Sequence, residues 1–204
     1  MRYYIAIGID IGYKTLGIVI EQRYKDNRVK MLHTSNENPS IDKYGKSITK
    51  TSEQTHRVTE ILHDIIDISV NSVIAKYIRL VVVEQQLPFA KQIIKRIDQH
   101  CISVFDTISF LYGITIQIVS MPSIMKYSIL NGPLGASKQV RKMWAVKYMI
   151  DMLLLCTNYT GDKLDNIIDY IKALSDEAKD IGDAFILIES CLQSKLIKLN
   201  LLFI

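Results

Sequence analysis

The sequence has few of the residues from which disulfide frameworks and zinc sites are built. Three cysteines occur in 204 residues, Cys101, Cys156 and Cys191, and no two of them form a CxxC pair. An odd number of widely spaced cysteines predicts neither a disulfide framework nor a zinc site. The four histidines also lack the spacing of metal ligands. Any metal site in this chain is therefore expected to use oxygen ligands.

Long hydrophobic runs are missing as well. No uninterrupted apolar stretch reaches the roughly 18 residues that are needed to cross a bilayer. The first residues, MRYYIAIGID, do not have the layout of a signal peptide, because their short apolar run enters a strand pattern directly. These absences predict an intracellular protein that is not secreted and has no membrane partner.

The length and composition suit one globular domain that spans residues 1–204. Hydrophobic residues make up 49% of the chain, which is enough for a sizeable core. The net charge is +4, from 25 basic and 21 acidic residues. A modest positive charge allows nucleic-acid binding but does not require it.

Hydrophobic periodicity predicts an α/β domain. Strands are predicted over residues 3–11, 15–22, 28–34, 77–84 and 114–120. Helices are predicted over residues 53–75, 89–112, 137–156 and 175–198, with a polar loop over 35–52 and a loop and short helix over 157–175. The first three strands are joined by short polar links, which favour a meander. The expected architecture is a mixed five-stranded sheet, with that meander and two parallel strands, flanked by helices.

Two acidic residues stand at the ends of strands that otherwise look buried. Asp10 interrupts the first strand near its end, and Glu84 closes the fourth strand after the run LVVV. Sites in open α/β sheets form beyond the carboxyl ends of strands, so neighbouring parallel strands would place both acids at one edge. The last predicted helix adds Asp176, Asp180 and Asp183, whose spacing places them on one helix face.

These acids form a ligand set made only of oxygen atoms. Carboxylates without histidine or cysteine favour Mg²⁺ or Mn²⁺ over zinc. Without a cation, carboxylates that are brought together would repel and raise one another's pKa values. Two divalent ions about 3.5–4 Å apart would neutralise them and clamp an in-line phosphoryl displacement. The pattern therefore predicts metal-dependent phosphodiester chemistry with two ions per active site.

Four sequence segments around these acids occur in the same order in a known nuclease family. They are IGIDIGYKTLGIVI, LVVVEQQLPFAK, IVSMPSIMKYSILNGPLGASKQVRKM and KDIGDA, and they span residues 5 to about 190. The chain resembles the RuvC-type Holliday junction resolvases of the RNase H-like superfamily, which occur in bacteria, phages, poxviruses and other large DNA viruses. A composition rich in Ile, Lys and Asn favours a viral or phage source. A viral version would act in the cytoplasmic replication compartment or the virion.

The resemblance implies roles for individual residues. The catalytic, metal-binding acids would be Asp10, Glu84, Asp180 and Asp183. The nucleic-acid-binding residues would be Lys126, Lys138, Arg141, Lys142 and, as a candidate wedge aromatic, Phe89. The alternatives are an ordinary core position for Phe89 and a solvated helix face for Lys138, Arg141 and Lys142.

The implied activity is the resolution of four-way DNA junctions in recombination, replication and repair, by symmetric, Mg²⁺-dependent phosphodiester hydrolysis. Mn²⁺ is a possible replacement for Mg²⁺. Two symmetric cuts imply a homodimer with two-fold symmetry. The predicted helices over residues 53–75 and 89–112 are candidates for its interface.

Three other functions match parts of the sequence. GIDIGYKTLG also resembles the first phosphate loop of the actin and sugar-kinase ATPases, but that fold needs a second lobe and a second such loop. RNase H-like ribosomal RNA maturation nucleases of the YqgF type are usually shorter and lack the long mid-chain helix. A non-catalytic RNase H-like binding module would not require the four acids to be intact. Junction cleavage with and without Mg²⁺ separates these functions.

Overall fold

The fold is described by a computed structural model that covers residues 2–12, 14–26, 28–156, 169, 177–194 and 197. The strands are β1 (Tyr3–Ile11), β2 (Leu16–Tyr24), β3 (Val29–Glu37), β4 (Ile78–Gln85) and β5 (Gln117–Pro122). The helices are α1 (Thr51–Ala75), α2 (Gln92–Tyr112), α3 (Ser123–Ile129), α4 (Lys138–Cys156) and α5 (Glu177–Gln193). Each of the five predicted strands is confirmed, with boundaries that shift by a few residues.

The strands form one mixed sheet in the order β3-β2-β1-β4-β5. β1, β2 and β3 are antiparallel neighbours, because short links return the chain beside the strand that it has just left. β4 pairs with β1, and β5 with β4, in parallel, because a helix precedes each of these strands. The predicted mixed five-stranded sheet is thereby confirmed.

Helices cover both faces of the sheet, and the side chains of each central strand alternate between two cores. Ile7 packs into the core that contains α1 and α2, whereas Ala6 packs into the core that contains α4 and α5. Because strand side chains alternate with a period of two, Asp10 lies on the same face as Ala6. The same alternation places Glu84 on the face of Val82, which also packs toward α5. Both strand-end acids thus face the helix that carries the remaining acids.

The helices differ from the prediction mainly at α2 and α3. α2 begins at Gln92 and not at residue 89, and the preceding segment is a turn in which the Ala90 N–H donates to the Leu87 carbonyl. α3 was not predicted, because a helix of seven residues is too short to show a hydrophobic period. The predicted start of α5 at residues 175–176 lies outside the described residues, as does almost all of the segment 157–175.

A buried group of charged side chains ties β2 to α5, away from the acids described above. Arg23 Nε lies 2.8 Å from Glu21 Oε2, and Arg23 Nη2 pairs with Glu189 Oε1. Burial raises the pKa of Glu21 to about 7 despite the neighbouring guanidinium.

Within the described part of the chain, no helix is long and apolar enough to cross a membrane.

Candidate active site

The helix α5 lies almost directly on the backbone of β1 and β2. A Cβ added to Gly8 would lie 2.1 Å from the Ala184 carbonyl oxygen, and one added to Gly17 would lie 2.4 Å from the Asp180 carbonyl oxygen. Only glycine leaves enough space at such contacts. Gly17 is also the residue opposite Asp10 in the β1–β2 ladder. The close approach therefore brings an acid of α5 beside the acid at the end of β1.

We expect Gly17→Ala to lower the free energy of unfolding by about 1–3 kcal/mol, the usual cost of overpacking. The added methyl group would meet backbone atoms of Asp180, which cannot rotate away, so α5 would have to shift. Urea unfolding measures the change, and Gly135→Ala is the matched control, because nothing lies within 4 Å of its Cβ position. Equal stability of Gly17→Ala and the wild type would contradict the close approach of α5.

Lys126 lies at the centre of three of the predicted acids. Its Nζ atom is 3.2 Å from Asp10 Oδ1, 3.2 Å from Glu84 Oε1 and 3.5 Å from Asp183 Oδ1. The side chain projects from α3, which directly follows β5, and is 0% exposed. A buried ammonium group thus joins the ends of β1 and β4 to α5.

Lys142 makes a second set of ion pairs from α4. Its Nζ atom pairs with Asp180 Oδ1 and lies 3.4 Å from Asp183 Oδ2 and 3.8 Å from Asp10 Oδ2. Its side chain is 15% exposed and lines a pocket. Together the two lysines contact all four predicted acids, which the fold gathers from β1, β4 and α5.

Two further side chains orient the acids of α5 and were not predicted from the sequence. Asn36 Nδ2 donates to Asp180 Oδ2 at 3.3 Å, and the Tyr127 hydroxyl donates to Asp183 Oδ1. Asn36 lies opposite Gly17 in the β2–β3 ladder. Asn36 could have been placed beside Asp180 only if the register between β2 and β3 had been known. The sequence pattern of β3 alone does not determine that register.

Burial and ion pairing shift the pKa values of the cluster in opposite directions. Burial alone would raise the pKa of Asp10, but Lys126 and Lys142 outweigh it and lower this pKa. Burial, with the charge of Asp10, raises the pKa of Glu84 to about 7, and burial also raises the pKa of Asp183. Burial would lower the pKa values of both lysines, but the acids outweigh it and raise them. At neutral pH the lysines and Asp10 are therefore charged, and Glu84 titrates.

A pocket of about 490 Å³ opens onto the acids. Its lining contains the four predicted acids together with Lys138, Arg141, Lys142 and Phe89. Phe89 is 84% exposed in the turn between β4 and α2, so the alternative of a core position does not apply. The fold therefore gathers four of the five predicted nucleic-acid-binding residues around the same pocket as the acids.

Lys126 is placed differently from the DNA-facing position that the resemblance implied. It has no exposed surface, and its ammonium group is surrounded by three carboxylates. A charged side chain is rarely buried unless it is paired, and these three acids supply the pairing. Its charge therefore acts within the acid cluster.

The acids suit a hard divalent ion in their chemistry. The pocket lining contains carboxylates but neither histidine nor cysteine, which favours Mg²⁺ or Mn²⁺. Over the described residues, no three Asp, Glu, His or Cys side chains are already arranged around one metal position. Instead, the ammonium groups of Lys126 and Lys142 lie where the carboxylates converge. The chemistry of these residues thus fits such an ion.

Three solved structures resemble the whole described fold. Thermus thermophilus RuvC is 12% identical, with a TM-score of 0.52 over 93% of this chain and 95% of that chain. RuvC of the same organism in complex with a Holliday junction substrate is 11% identical, with a TM-score of 0.52 over 96% and 98% of the two chains. The yeast mitochondrial Holliday junction resolvase Ydc2 is 14% identical, with a TM-score of 0.54 over 92% and 78%. The chain has the RuvC-like, RNase H-like fold.

This fold confirms the fold class that the four sequence segments predicted. The likeness lies in the structure, since no protein-family model and no curated protein matches the chain. The RuvC-like fold accounts for the position of the pocket, at the edge of the sheet where β1 and β4 both end. A viral source stays a prediction.

Proposed function

We propose that this protein is a metal-dependent endonuclease that resolves four-way DNA junctions. The observation that carries the proposal is the gathering of four carboxylates, from two strand ends and one helix, in a pocket with a basic and aromatic rim. The acids support phosphodiester hydrolysis, and Lys138, Arg141 and Phe89 support a nucleic-acid substrate. Two proteins with this fold support branched DNA as the substrate class: Thermus thermophilus RuvC, which is solved in complex with a Holliday junction substrate, and the Holliday junction resolvase Ydc2.

Asp10, Glu84, Asp180 and Asp183 would hold Mg²⁺, or Mn²⁺, with two ions in each site. Bound ions would supply the Lewis acidity that activates water and stabilises the charge that develops on the phosphate. The chain's own contribution is rigidity: Asp10 and Glu84 lie at strand ends, which hold side chains more precisely than loops do. Hydrogen bonds from Asn36 and Tyr127 orient the acids of α5.

The first turn of α4 is arranged to hold a DNA backbone beside the acids. Lys138 is the first residue of this 19-residue helix. Arg141 donates through Nη1 to the Ala136 carbonyl at 2.6 Å, and its guanidinium carbon lies 5.7 Å from the centre of the Tyr127 ring. A helix N-terminus with basic side chains attracts phosphate groups. Such contacts position the backbone but do not read the base sequence.

Lys138→Ala should weaken junction binding similarly on all sequences and make its salt dependence shallower. Each phosphate that a basic residue neutralises contributes about 0.9 to the slope of log affinity against log salt. The slope should therefore fall by about one unit, and the preferred cleavage sequence should not change. The measurement is a titration of an uncleavable junction at several salt concentrations.

Lys147→Ala is the matched control for this titration. Lys147 lies on the same helix, is 75% exposed and pairs with Asp151 at 2.9 Å. Its loss should leave the slope close to that of the wild type. If Lys138→Ala also leaves affinity and slope unchanged, Lys138 belongs to a solvated helix face and is not a phosphate contact.

We further infer that the active form is a homodimer, because the resolution of a four-way junction needs two symmetric cuts. An apolar groove of about 480 Å³ lies between α1 and α2, and Leu111 on its wall is 70% exposed. Exposed apolar surface of this kind is typical of a protein interface. Light scattering should give twice the chain mass of 23.4 kDa, and a monomeric mass with and without junction DNA would contradict the dimer.

Cleavage assays with several substrates test the proposed function. Labelled four-way junctions, three-way junctions, linear DNA duplex and structured ribosomal RNA are incubated with and without Mg²⁺. We expect Mg²⁺-dependent cutting that is fastest on the four-way junction. Preferential cutting of the RNA would favour a ribosomal RNA maturation nuclease. Junction binding without cutting in either Mg²⁺ or Mn²⁺ would favour a non-catalytic binding module.

A further inference from the structure

The two lysines of the acid cluster divide its oxygen atoms between them. Lys126 contacts the Oδ1 atoms of Asp10 and Asp183, whereas Lys142 contacts the Oδ2 atoms of the same two residues. Glu84 belongs to the Lys126 set, and Asp180 belongs to the Lys142 set. Asp10 and Asp183 thus bridge two separate positive charges.

The two ammonium groups differ in how easily they can leave. Lys126 is completely buried on α3, and no solvent or substrate reaches its ammonium group without disruption of the core. Lys142 lines the open pocket, where Lys138 and Arg141 are its neighbours, and its side chain is partly exposed. An ammonium group that leaves Asp180 can therefore reach water or a backbone phosphate that is held at the pocket.

The oxygens held by Lys142 include carboxylate atoms that a divalent ion would need at the α5 side of the site. A compact ammonium group and a divalent cation cannot occupy the same position between Asp180 and Asp183. Charge repulsion would also oppose their presence side by side among the same carboxylates. Binding of one cation must therefore weaken binding of the other.

We propose that Lys142 is a built-in competitor for one divalent ion, which binds the Asp180 and Asp183 carboxylates only when the Lys142 ammonium group leaves them. The proposal rests on the proposed function only for the identity of the competing ion. Lys142 is a positioning residue in this account, because it controls the charge around the acids. Removal of the Lys142 charge should tighten the binding of one ion. When no ion is bound, the carboxylates should then repel one another more strongly.

Calorimetric titration with Mn²⁺, in the absence of DNA, tests the competition. Lys142→Met keeps the apolar stem and removes the charge, so one ion should bind about tenfold tighter, within the usual range of coupling between linked sites. Lys147→Met is the control, because this lysine lies on the same helix and pairs only outside the cluster in the contacts that the structure shows. Its Mn²⁺ affinity should equal that of the wild type.

Thermal unfolding gives a second measurement that does not depend on activity. In EDTA, Lys142→Met should unfold at a lower temperature than the wild type, and added Mn²⁺ should raise its midpoint by more than it raises that of the wild type. If the variant is unfolded in EDTA, refolding upon addition of Mn²⁺ supports the proposal. Failure to refold with Mn²⁺ counts against it.

Equal or weaker Mn²⁺ binding by Lys142→Met, compared with the wild type, would overturn the proposal. The absence of Mn²⁺ binding in both proteins would overturn it as well. These outcomes are distinguishable from failure of the proposed function, which appears as a lack of junction cleavage by the wild type. If the wild type cuts no DNA but Lys142→Met binds Mn²⁺ more tightly, the competition between Lys142 and the ion is supported and the nuclease function is contradicted.

Discussion

Asp10→Asn and Glu84→Gln should abolish cleavage of a four-way junction while junction binding persists. Each change removes a negative charge that a bound metal ion would need but keeps the shape of the side chain. Metal ions supply several kcal/mol of transition-state stabilisation, so the rate should fall by about a thousandfold or more. Single-turnover cleavage and gel-shift binding are measured on the same preparations.

Asp151→Asn is the control for these variants. Asp151 is an acid on α4 whose side chain is 52% exposed and pairs with Lys147, away from the pocket. It should cut at the wild-type rate. Cleavage at that rate by either Asp10→Asn or Glu84→Gln would contradict the assignment of that residue as a metal ligand. Asp180→Asn and Asp183→Asn should be inactive for the same reason.

Lys126→Met should lower the free energy of unfolding by about 3–5 kcal/mol, the cost of leaving a buried charge without its partner. The change leaves the carboxylates of Asp10, Glu84 and Asp183 around a neutral side chain, without the ammonium group that they contact in the wild type. Urea denaturation at pH 7 in EDTA measures the loss. Lys147→Met, which removes an exposed lysine, should change the stability by less than about 1 kcal/mol.

The pH dependence of this loss follows from the three carboxylates that Lys126 contacts. The Lys126 ammonium group holds the pKa values of Asp10, Glu84 and Asp183 below those that burial alone would give. Without it the folded variant takes up protons at a higher pH than the wild type, so the difference between Lys126→Met and the wild type should be larger at pH 7 than at about pH 3. A difference that does not depend on pH would show that packing, and not charge, is what Lys126 contributes.

The positions of the strand-end acids could be predicted because their cause is local. A carboxylate that closes an apolar strand is visible in the sequence, and Asp10 and Glu84 both lie at the carboxyl ends of strands that pair in parallel. The strand alternation that places them on one face is also a property of the sequence. The roles of these acids as metal ligands stay predictions.

The roles of the two lysines could not be predicted, because they depend on tertiary packing. Lys126 projects from a short helix with no periodic signal, so the sequence did not show that it points into the core. Lys142 lies four residues after Lys138 on α4, and nothing in the pattern separates a lysine that faces acids from one that faces DNA. Phe89 was predicted to start a helix, but Pro88 and the turn that follows it delay α2 until Gln92.

The resemblance in four short segments predicted the fold class correctly, even though the overall identities to the three structures are only 11–14%. The segments cover the strand ends, the α4 entry and the start of α5, which are the parts that build the pocket. Asp176 lies outside the described residues. We expect Asp176→Asn to keep most of the activity, because Asp176 is not among the acids that the resemblance implies as metal ligands.

Strand-resolved, single-turnover cleavage of a four-way junction tests most directly the claim that the acid cluster is a nuclease site for branched DNA. Each of the four strands is labelled in turn, and a linear duplex with the sequence of two arms is the matched control. In Mg²⁺ we expect cuts at symmetric positions in two opposed strands, an intact linear duplex and no cutting in EDTA. An intact junction in Mg²⁺ and in Mn²⁺, or equal cutting of junction and linear duplex, would show that the acid cluster is not a nuclease site for branched DNA.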